Sequence, residues 1–227
     1  LVVEGRLFQV ARGDNVVMSR TFRGDKLRPL VHAWANDLIE HFTRVRGVFG
    51  SRIAFALAGR KSEIASVGMD GADMAVLTQM RAPSLLPAYS PTGREIAFTS
   101  FLRGTPDLWI VSAGGGRARR VSSRPGLNTG AAWFPDGGTL ALTRSYQGNP
   151  EIYRIHPADG RVLGQLTRAP GIDASPSVSA DGSQIAFVSD RQGSPQIAAM
   201  SSSGGGARRL TFQGGQNTTP RWNPRPE

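Results

Sequence analysis

Cysteine is absent from this chain of 227 residues, which excludes disulfides, thiolate chemistry and the usual zinc fingers. Its absence fits either a reducing or an oxidising compartment. No stretch reaches the roughly 18 uninterrupted apolar residues that a membrane-spanning helix requires, so we expect no transmembrane segment. No signal-peptide pattern opens the chain, and because Leu1 stands in place of an initiator methionine we expect a mature or trimmed form.

Motifs of hydrolases, metalloenzymes and nucleotide-binding proteins are also missing. The sequence contains no G-x-S-x-G, H-E-x-x-H or G-x-x-x-x-G-K-[ST] pattern. The histidines His32, His41 and His156 have no metal-binding spacing, and a structural hydrogen bond is expected for His32. Asp70 and Asp73 in MDGAD are interpreted as a polar turn rather than a cation site. We therefore predict no catalytic residue, no cofactor and no metal.

The first fifty residues combine a strand pattern with a helix pattern. LVVEGRLFQV and NVVMSRTF, separated by ARGD, predict a β-hairpin. After Asp25, a candidate helix cap, apolar residues recur at spacings of three and four and predict an amphipathic helix that begins near Leu27 and is broken by Gly47 and Gly50. Residues 1–50 are thus predicted to form the C-terminal part of an α/β domain.

From residue 51 a repeat of about 44 residues takes over. SPTGREIAF at 90–98 returns as FPDGGTLAL at 134–142 and SADGSQIAF at 179–187. Two sets of landmarks keep this step: Ile53, Ile96, Leu140 and Ile185, and the pairs Leu77-Thr78, Val121-Ser122, Leu166-Thr167 and Leu210-Thr211. Four short strands fit in each unit, as in a propeller blade. We predict a mainly β fold, with residues 51–227 forming β-propeller blades in four repeat units.

The repeated turns divide the blades into a conserved frame and a variable face. S/F-P/A-x-G turns join the first and second strands, and GGG turns join the third and fourth, so both types lie on one side. The opposite side carries the loops between blades and those between second and third strands, where the units differ, and variable side chains on a repeated frame are typical of binding sites. The predicted partner-binding residues at this propeller mouth are Leu85, Leu86, Leu127, Asn128, Thr129, Gly130, Asp173, Ala174, Ser175, Asn217, Thr218 and Thr219.

The chain carries 27 Lys and Arg against 17 Asp and Glu, a formal charge of +10 that attracts anionic partners. Matching arginines recur in two units, at Arg117, Arg119, Arg120, Arg208 and Arg209. They fall on the predicted outermost strands, where charges prevent edge-to-edge pairing, so we expect no nucleic-acid partner. A basic propeller that binds an anionic polymer stays open as a further hypothesis.

One segment and the blade motif together carry a resemblance to a known family. LRPLVHAWANDLIEHFTRVRGVFGSRIAFA resembles the junction between the α/β domain and the propeller in the TolB family. The blades PAYSPTGREIAF, AAWFPDGGTLAL and PSVSADGSQIAF are similar to the P-x-W-S-P-D-G-x-x-I-A-F pattern of that family. Propellers of prolyl-oligopeptidase type share the blade motif, whereas the helix junction is specific to the TolB family. The positions that match at the junction are His32, Asp37-Leu38, Thr43, Gly47, Phe49, Arg52, Ile53 and Ala54.

This resemblance implies a non-catalytic periplasmic protein of the Tol-Pal system, with WD40-like repeats in a six-bladed propeller. Its mouth would bind the lipoprotein Pal through loops corresponding to 127–130 and 173–175, and an N-terminal segment would contact TolA. The implied roles are outer-membrane integrity, protein transport and envelope constriction in cell division. The family often has a histidine where this chain has Leu127, and a glycine where it has Arg44.

Four repeat units are fewer than the family has, so we expect a fragment or a divergent short member. TPRWNPRPE either starts a fifth blade or returns to complete the first unit. The alternative function is the propeller of a prolyl-oligopeptidase-type peptidase whose catalytic domain lies outside this chain.

Overall fold

The computed structural model of the protein describes residues 1–11, 15–59, 61–146 and 148–223. A hairpin and a helix come first: β1 (Val2–Gln9), β2 (Asn15–Arg23) and α1 (Leu27–Thr43). Four antiparallel sheets follow, which confirms the predicted mainly β fold. Their strands are β3 (Arg52–Leu57), β4 (Glu63–Gly68) and β5 (Ala75–Val76); β6 (Ser84–Tyr89), β7 (Glu95–Ser100), β8 (Asp107–Ser112) and β9 (Arg119–Ser122); β10 (Asn128–Trp133), β11 (Leu140–Tyr146), β12 (Asn149–Ile155) and β13 (Val162–Gln165); and β14 (Asp173–Val178), β15 (Gln184–Ser189), β16 (Gln196–Ser201) and β17 (Arg208–Arg209).

The chain forms two compact units, Leu1–Ile53 with Val67–Met74 and Ala54–Ser66 with Ala75–Glu227. In the first unit the hairpin packs against α1 through Trp34, whose ring centroid lies 6.4 Å from that of Phe22. A Cβ added at Gly5 would lie 2.4 Å from the Trp34 indole, so only glycine allows this close packing. The predicted ARGD turn lies mostly outside the described residues.

Both ends of α1 show how the sequence sets its limits. The helix begins at Leu27 as predicted, but Lys26 occupies the N-cap position and no side chain caps the helix, so the proposed Asp25 cap is wrong. At the other end Arg44 is left-handed, with φ 60°, and donates its N–H to the Glu40 carbonyl at 2.9 Å. Glycine adopts this backbone conformation without strain, which explains why glycine is common at the C-terminal ends of helices.

Each later sheet is a simple meander in chain order. The second, third and fourth sheets contain four strands each, in the orders β6-β7-β8-β9, β10-β11-β12-β13 and β14-β15-β16-β17. In the first sheet, β3-β4-β5, the described residues supply no innermost strand beside β3. We call these sheets blades one to four, and they confirm the four predicted repeat units.

The SPTG, FPDG and SADG segments are hairpin turns that join the first two strands of a blade. In SPTG, Ser90 donates its N–H to Glu95 at 2.8 Å, and Gly93 donates its N–H to Ser90 at 2.8 Å. FPDG and SADG repeat both bonds, and the three turn glycines share φ values of 68°, 69° and 74°. These turns serve as scaffold, because backbone bonds and a glycine conformation account for their recurrence.

The apolar core lies between neighbouring blades rather than inside any one of them. One cluster joins blades one and two, another joins blades two and three, and a third joins blades three and four. The repeated IAF and LAL triplets supply side chains to these clusters, and Phe98, Leu142 and Phe187 are almost fully buried. A blade therefore needs a neighbour to remove its apolar faces from water.

The last described residues lie against blade four. The Trp222 N–H donates to the Ser177 hydroxyl at 3.0 Å, and the Asn217 N–H donates to the Pro195 carbonyl at 2.9 Å. Asn128 makes the matching bond to Pro106 at the start of β10, so Asn217 repeats the start of an innermost strand. The segment thus occupies the place where a fifth blade would begin, and no described strand pairs with the open edge of β3.

Replacing Phe98 by alanine tests the packing between blades. We expect Phe98→Ala to lower the free energy of unfolding by about 3–5 kcal/mol, because it leaves a cavity between blades one and two. Phe101→Ala is the matched control, since that ring is 37% exposed against 1% for Phe98, and it should cost less than about 1 kcal/mol. Urea unfolding measures both values. Equal losses would show that this core does not hold the blades together.

Candidate functional site

The mouth face is defined here as the loops between blades together with the loops between second and third strands. It lies opposite the hairpin turns, because strand direction alternates within each meander. All twelve predicted binding residues lie at or near the starts of innermost strands on this face. Exposed side chains are those of Leu85, Leu86, Leu127, Thr218 and Thr219; Thr129, Gly130, Ala174, Ser175 and Asn217 are partly buried; Asn128 and Asp173 are buried.

A left-handed residue recurs in β6, β10 and β14 and in the last described segment, which follows blade four. Leu86, Gly130, Ser175 and Thr219 have φ values of 55°, 64°, 53° and 57°. The pairing register shifts at this point in β6, β10 and β14, as expected of a bulge. Only the glycine adopts such a φ without strain, so the surrounding structure must hold the other three residues in this conformation.

Bonds between blades stabilise these bulges. The hydroxyl groups of Thr99 and Thr129 lie 3.0 Å apart, which links blades two and three. The Ser175 N–H donates to the Thr143 hydroxyl at 3.0 Å, which links blades three and four. The mouth residues are thus held by a rigid support, as binding loops on a repeat scaffold should be.

Asn128 holds its own loop rather than presenting a surface. Its side-chain carbonyl accepts the Ser122 hydroxyl at 2.7 Å, and its amide donates to the Arg124 carbonyl at 2.7 Å. The residue is fully buried. The expectation of a direct partner contact therefore changes to one of loop positioning.

Asp173 has the same function in blade four. One carboxylate oxygen accepts from the Arg191 guanidinium at 2.6 Å, and the side chain is fully buried. The other oxygen, Oδ1, has no hydrogen-bond partner among the described residues. Reversing the charge at Asp173 would place an unpaired cation in a fully buried position beside Arg191, which would disturb the loop whatever its role in binding.

A second repeated polar position escaped the sequence prediction. Glu63, Asp107 and Gln196 each begin the third strand of a blade, and Glu151 is the third residue of β12. The four positions lie 44, 44 and 45 residues apart. In blades one, three and four the side chain at this position accepts a hydrogen bond from the hydroxyl of the threonine in the repeated Leu-Thr pair. The bond measures 2.5 Å from Thr78 to Glu63 and 2.7 Å from Thr211 to Gln196. The common period of acid and threonine was the signal that could have identified the pair.

This pair fixes the loop that leads into the next blade. Glu151 accepts the Ala169 N–H at 2.7 Å and the Asn149 amide at 3.0 Å in addition to the Thr167 hydroxyl. In return, the Thr167 hydroxyl accepts the Ile152 N–H at 2.9 Å. The loop between blades is therefore tied to the start of the third strand.

Blade two departs from this arrangement. Ser122 replaces the threonine and donates to Asn128, so Asp107 faces Arg120 at 3.5 Å, and its Oδ1 lacks a hydrogen-bond partner among the described residues. Burial raises the pKa of Asp107, and attraction by the guanidinium groups of Arg120 and Arg103 offsets part of the rise.

The polar residues of the first unit pair among themselves. His32 Nε2 lies 3.1 Å from Asp70, as expected of a structural histidine. The Arg28 guanidinium binds both Asp70 and Asp73 and lowers the pKa of Asp70 to about 2. A cavity of about 520 Å³ beside these residues contains none of the twelve mouth residues. Within the described ranges, no cluster of three or more His, Cys, Asp or Glu side chains is placed to hold a metal ion.

The single helix of the described chain, α1, is not long and apolar enough to cross a membrane.

Comparison with known proteins identifies the repeat. A family model described as the TolB beta propeller domain matches residues 39–227. The protein TolB homolog of Chlorobium chlorochromatii is 41% identical over 183 residues, covering 79% of this chain and 40% of that protein. The Tol-Pal system protein TolB of Anaeromyxobacter dehalogenans is 42% identical over 176 residues, covering 77% of this chain and 40% of that protein.

A solved structure agrees with this result. The crystal structure of TolB from Acinetobacter baumannii superposes with a TM-score of 0.87 at 28% identity, over 98% of this chain and 57% of that one. The chain thus spans about 40% of the length of the curated relatives it matches.

Removing the Glu151 carboxylate tests the link between strand and loop. We expect Glu151→Ala to lower the free energy of unfolding by about 3 kcal/mol, because three buried or partly buried donors lose their acceptor. Glu151→Gln should cost less, since Gln196 fills the same position in blade four. Glu95→Ala, which removes a partly exposed pair with Arg119, is the control and should cost under about 1 kcal/mol. A loss at Glu151 no larger than at Glu95 would contradict the assigned role.

The raised pKa of Asp107 predicts that this residue lowers the free energy of unfolding as pH rises. The unfolded chain releases this proton at about pH 3.9, whereas the folded protein retains it to higher pH. The penalty is absent below the unfolded pKa, grows as pH rises, and is complete above the folded pKa. Asp107→Asn should therefore be more stable than the parent at pH 7, with the difference vanishing near pH 3.

Asp159→Asn is the control of opposite sign, to be measured in the same urea series. The Arg161 N–H lowers the pKa of the Asp159 carboxyl, so ionisation of Asp159 favours the folded state above its unfolded pKa. This variant should be slightly less stable than the parent at pH 7. A pH-independent loss of stability in Asp107→Asn would refute the account of blade two.

Proposed function

Because the chain belongs to the TolB beta-propeller family, we propose that it is a TolB-like, non-catalytic periplasmic scaffold that binds a Pal-like lipoprotein through the mouth face. Through this contact it would support outer-membrane integrity and envelope constriction. The match to the family model over residues 39–227 is the observation that carries the proposal. Its relatives are named as proteins of the Tol-Pal system, which supplies the lipoprotein as the partner to test.

The mouth face has the surface chemistry that such a contact needs. Leu85, Leu86 and Leu127 are exposed leucines on this face, and exposed apolar side chains within a polar rim are typical of protein-binding surfaces. They stand on strands held by bonds between blades, so little entropy is lost when a partner binds. We assign Asn128 and Asp173 to positioning, and the exposed and partly buried mouth residues to contact.

Two further partners or functions follow from the family resemblance alone. Contact with a TolA-like protein through an N-terminal segment stays a prediction that involves none of the described residues. The propeller of a prolyl-oligopeptidase-type peptidase is the alternative, and a G-x-S-x-G α/β-hydrolase sequence in the same gene would support it.

An acidic substitution on the mouth face tests the proposed contact. We expect Leu127→Asp to weaken binding of the soluble domain of the Pal-like lipoprotein from the same genome by about tenfold or more, because it places a charge in an apolar contact. Leu163→Asp is the matched control, since Leu163 is similarly exposed, 43% against 36%, but lies on the outer strand β13. Its affinity should stay within about twofold of the parent.

Isothermal titration calorimetry measures the affinities, and circular dichroism confirms that both variants are folded. Equal weakening by both substitutions, or by neither, would remove the mouth face as the contact surface. No binding by the unmodified protein would reject the proposed partner itself.

A further inference from the structure

Arg144 of β11 is a buried cation without a carboxylate partner. Its side chain is only 7% exposed, and none of the described carboxylates forms an ion pair with it. The guanidinium instead lies over the Tyr153 ring, 5.1 Å from the ring centroid. Buried charges in proteins are normally paired, because the loss of their hydration costs roughly several kcal/mol when no partner replaces the water.

The residues opposite Arg144 in the sheet are already engaged elsewhere. Asn128 of β10 and Glu151 of β12 are its cross-strand partners. Asn128 bonds to Ser122 and to the Arg124 carbonyl, and the Glu151 carboxylate accepts three other donors. Arg124 lies close by, because Asn128, which stands opposite Arg144 in the sheet, donates its amide to the Arg124 carbonyl. Burial, followed by repulsion from Arg124, lowers the pKa of Arg144. The two arginines therefore form an electropositive site that no described side chain neutralises.

Both arginines lie at the mouth end of their blades. Second strands run from the hairpin turn toward the mouth, and Arg144 lies two residues before the end of β11. Arg124 is exposed in the loop between blades two and three. Three more exposed arginines, at 81, 103 and 168, lie in mouth loops, and among the described residues none of them forms an ion pair.

The described acids near the mouth form no ion pair with these arginines, although Asp107 attracts Arg103. Asp190, partly buried after β15, accepts the Ile172 N–H. Glu63 and Glu151 accept hydrogen bonds from threonine and from backbone N–H groups, and Asp173 pairs with Arg191. Asp107 is buried beside Arg120. The exposed charge of the mouth face is therefore positive, which favours a partner with an acidic surface.

We infer that Arg144 and Arg124 form a carboxylate-binding site at the junction of blades two and three, which receives an Asp or Glu side chain of the protein that docks on the mouth face. This inference rests on the proposed function, since it names the chemistry by which that partner is recognised. A guanidinium binds a carboxylate in a two-point geometry, and the low dielectric around Arg144 strengthens the pair. Arg124, being exposed, attracts the acid before contact.

A nucleic acid fits this site less well than a carboxylate. Stacking of a base needs a free aromatic face, and the guanidinium of Arg144 already covers the face of Tyr153. Arg144, as one buried cation, also suits a single inserted acidic side chain better than a nucleic acid, because a row of phosphates needs several cations spaced along it.

Three variants and one matched control test the site in the intact protein. Arg144→Met keeps the side-chain volume and removes the charge, Arg144→Lys keeps the charge and loses the two-point geometry, and Arg124→Gln removes the exposed charge. Arg117→Gln is the control, because Arg117 is equally exposed but lies in the turn between β8 and β9, on the face opposite the mouth. The probe is the soluble domain of the Pal-like lipoprotein from the same genome, titrated by calorimetry at low and high salt.

We expect Arg144→Met to weaken this binding about thirtyfold and Arg144→Lys to give a smaller loss. Arg124→Gln should weaken it about threefold and reduce its salt dependence, while Arg117→Gln stays within about twofold. The melting temperature of Arg144→Met should equal or exceed that of the parent, because an unpaired buried charge is removed. If that variant melts lower, Arg144 serves the fold and the inference is wrong.

A second probe separates this inference from the proposed function. Sodium acetate, compared with sodium chloride at equal ionic strength, should produce a saturable NMR shift of the Tyr153 ring signals that is lost in Arg144→Met. If the parent does not bind the lipoprotein domain but shows this shift, the proposed partner is rejected and the carboxylate site stands.

Besides a lower melting temperature of Arg144→Met, three results would overturn the site. One is lipoprotein binding in which the variants at positions 124 and 144 behave like Arg117→Gln. Another is the absence of a saturable acetate shift. The last is binding of an oligothymidylate that is lost in Arg144→Met while lipoprotein binding is kept, which would assign the site to phosphate.

Discussion

Neighbouring blades bury each other's apolar faces, and the rest of the structure depends on this contact. Each cluster of buried side chains joins two consecutive blades, so Phe98, Leu142 and Phe187 belong to interfaces as much as to strands. A substitution in one of these triplets would disturb two blades at once. This constraint keeps the IAF and LAL triplets alike along the chain and leaves variation to the loops.

Polar side chains complete the frame at the mouth end of the blades, where apolar packing gives way to loops. In blades one, three and four, the acid or amide near the start of the third strand accepts the hydroxyl of the threonine that follows the fourth strand. The Thr99–Thr129 pair and the Ser175–Thr143 bond then connect an innermost strand with the second strand of the blade before it. The loops on this face can therefore differ in sequence while their positions stay fixed, which is the property that a recognition surface requires.

Periodicity was enough to predict the frame but not the direction of every side chain. The helix from Leu27, the strands of each blade and the turns around Gly93 follow from apolar spacing and turn chemistry, and the structure has them where expected. Asn128 and Asp173 were expected at the surface and are buried instead. The bulge in each innermost strand shifts the pairing register, so simple alternation of inward and outward side chains fails at the mouth.

Buried polar groups escaped prediction for a related reason. Burial of Arg144 and Asp107 depends on the blade that packs beside them, and a single-strand pattern carries no information about that neighbour. The family resemblance predicts the class of partner. The positive charge of the mouth face depends on the internal hydrogen bonds and ion pairs of its acids, which the sequence alone does not indicate. A frame of repeated polar bonds thus engages the acids of the mouth, which is the basis of the proposed recognition of an acidic partner by its arginines.

Hydrogen–deuterium exchange of the complex with the Pal-like lipoprotein domain tests the central claim, that recognition occurs on the mouth face, most directly. The account predicts slowed exchange at residues 127–130 and 173–175 upon binding, with unchanged exchange in the hairpin turns at 90–93 and 134–137. Protection confined to those turns would place the partner on the opposite face and contradict the account.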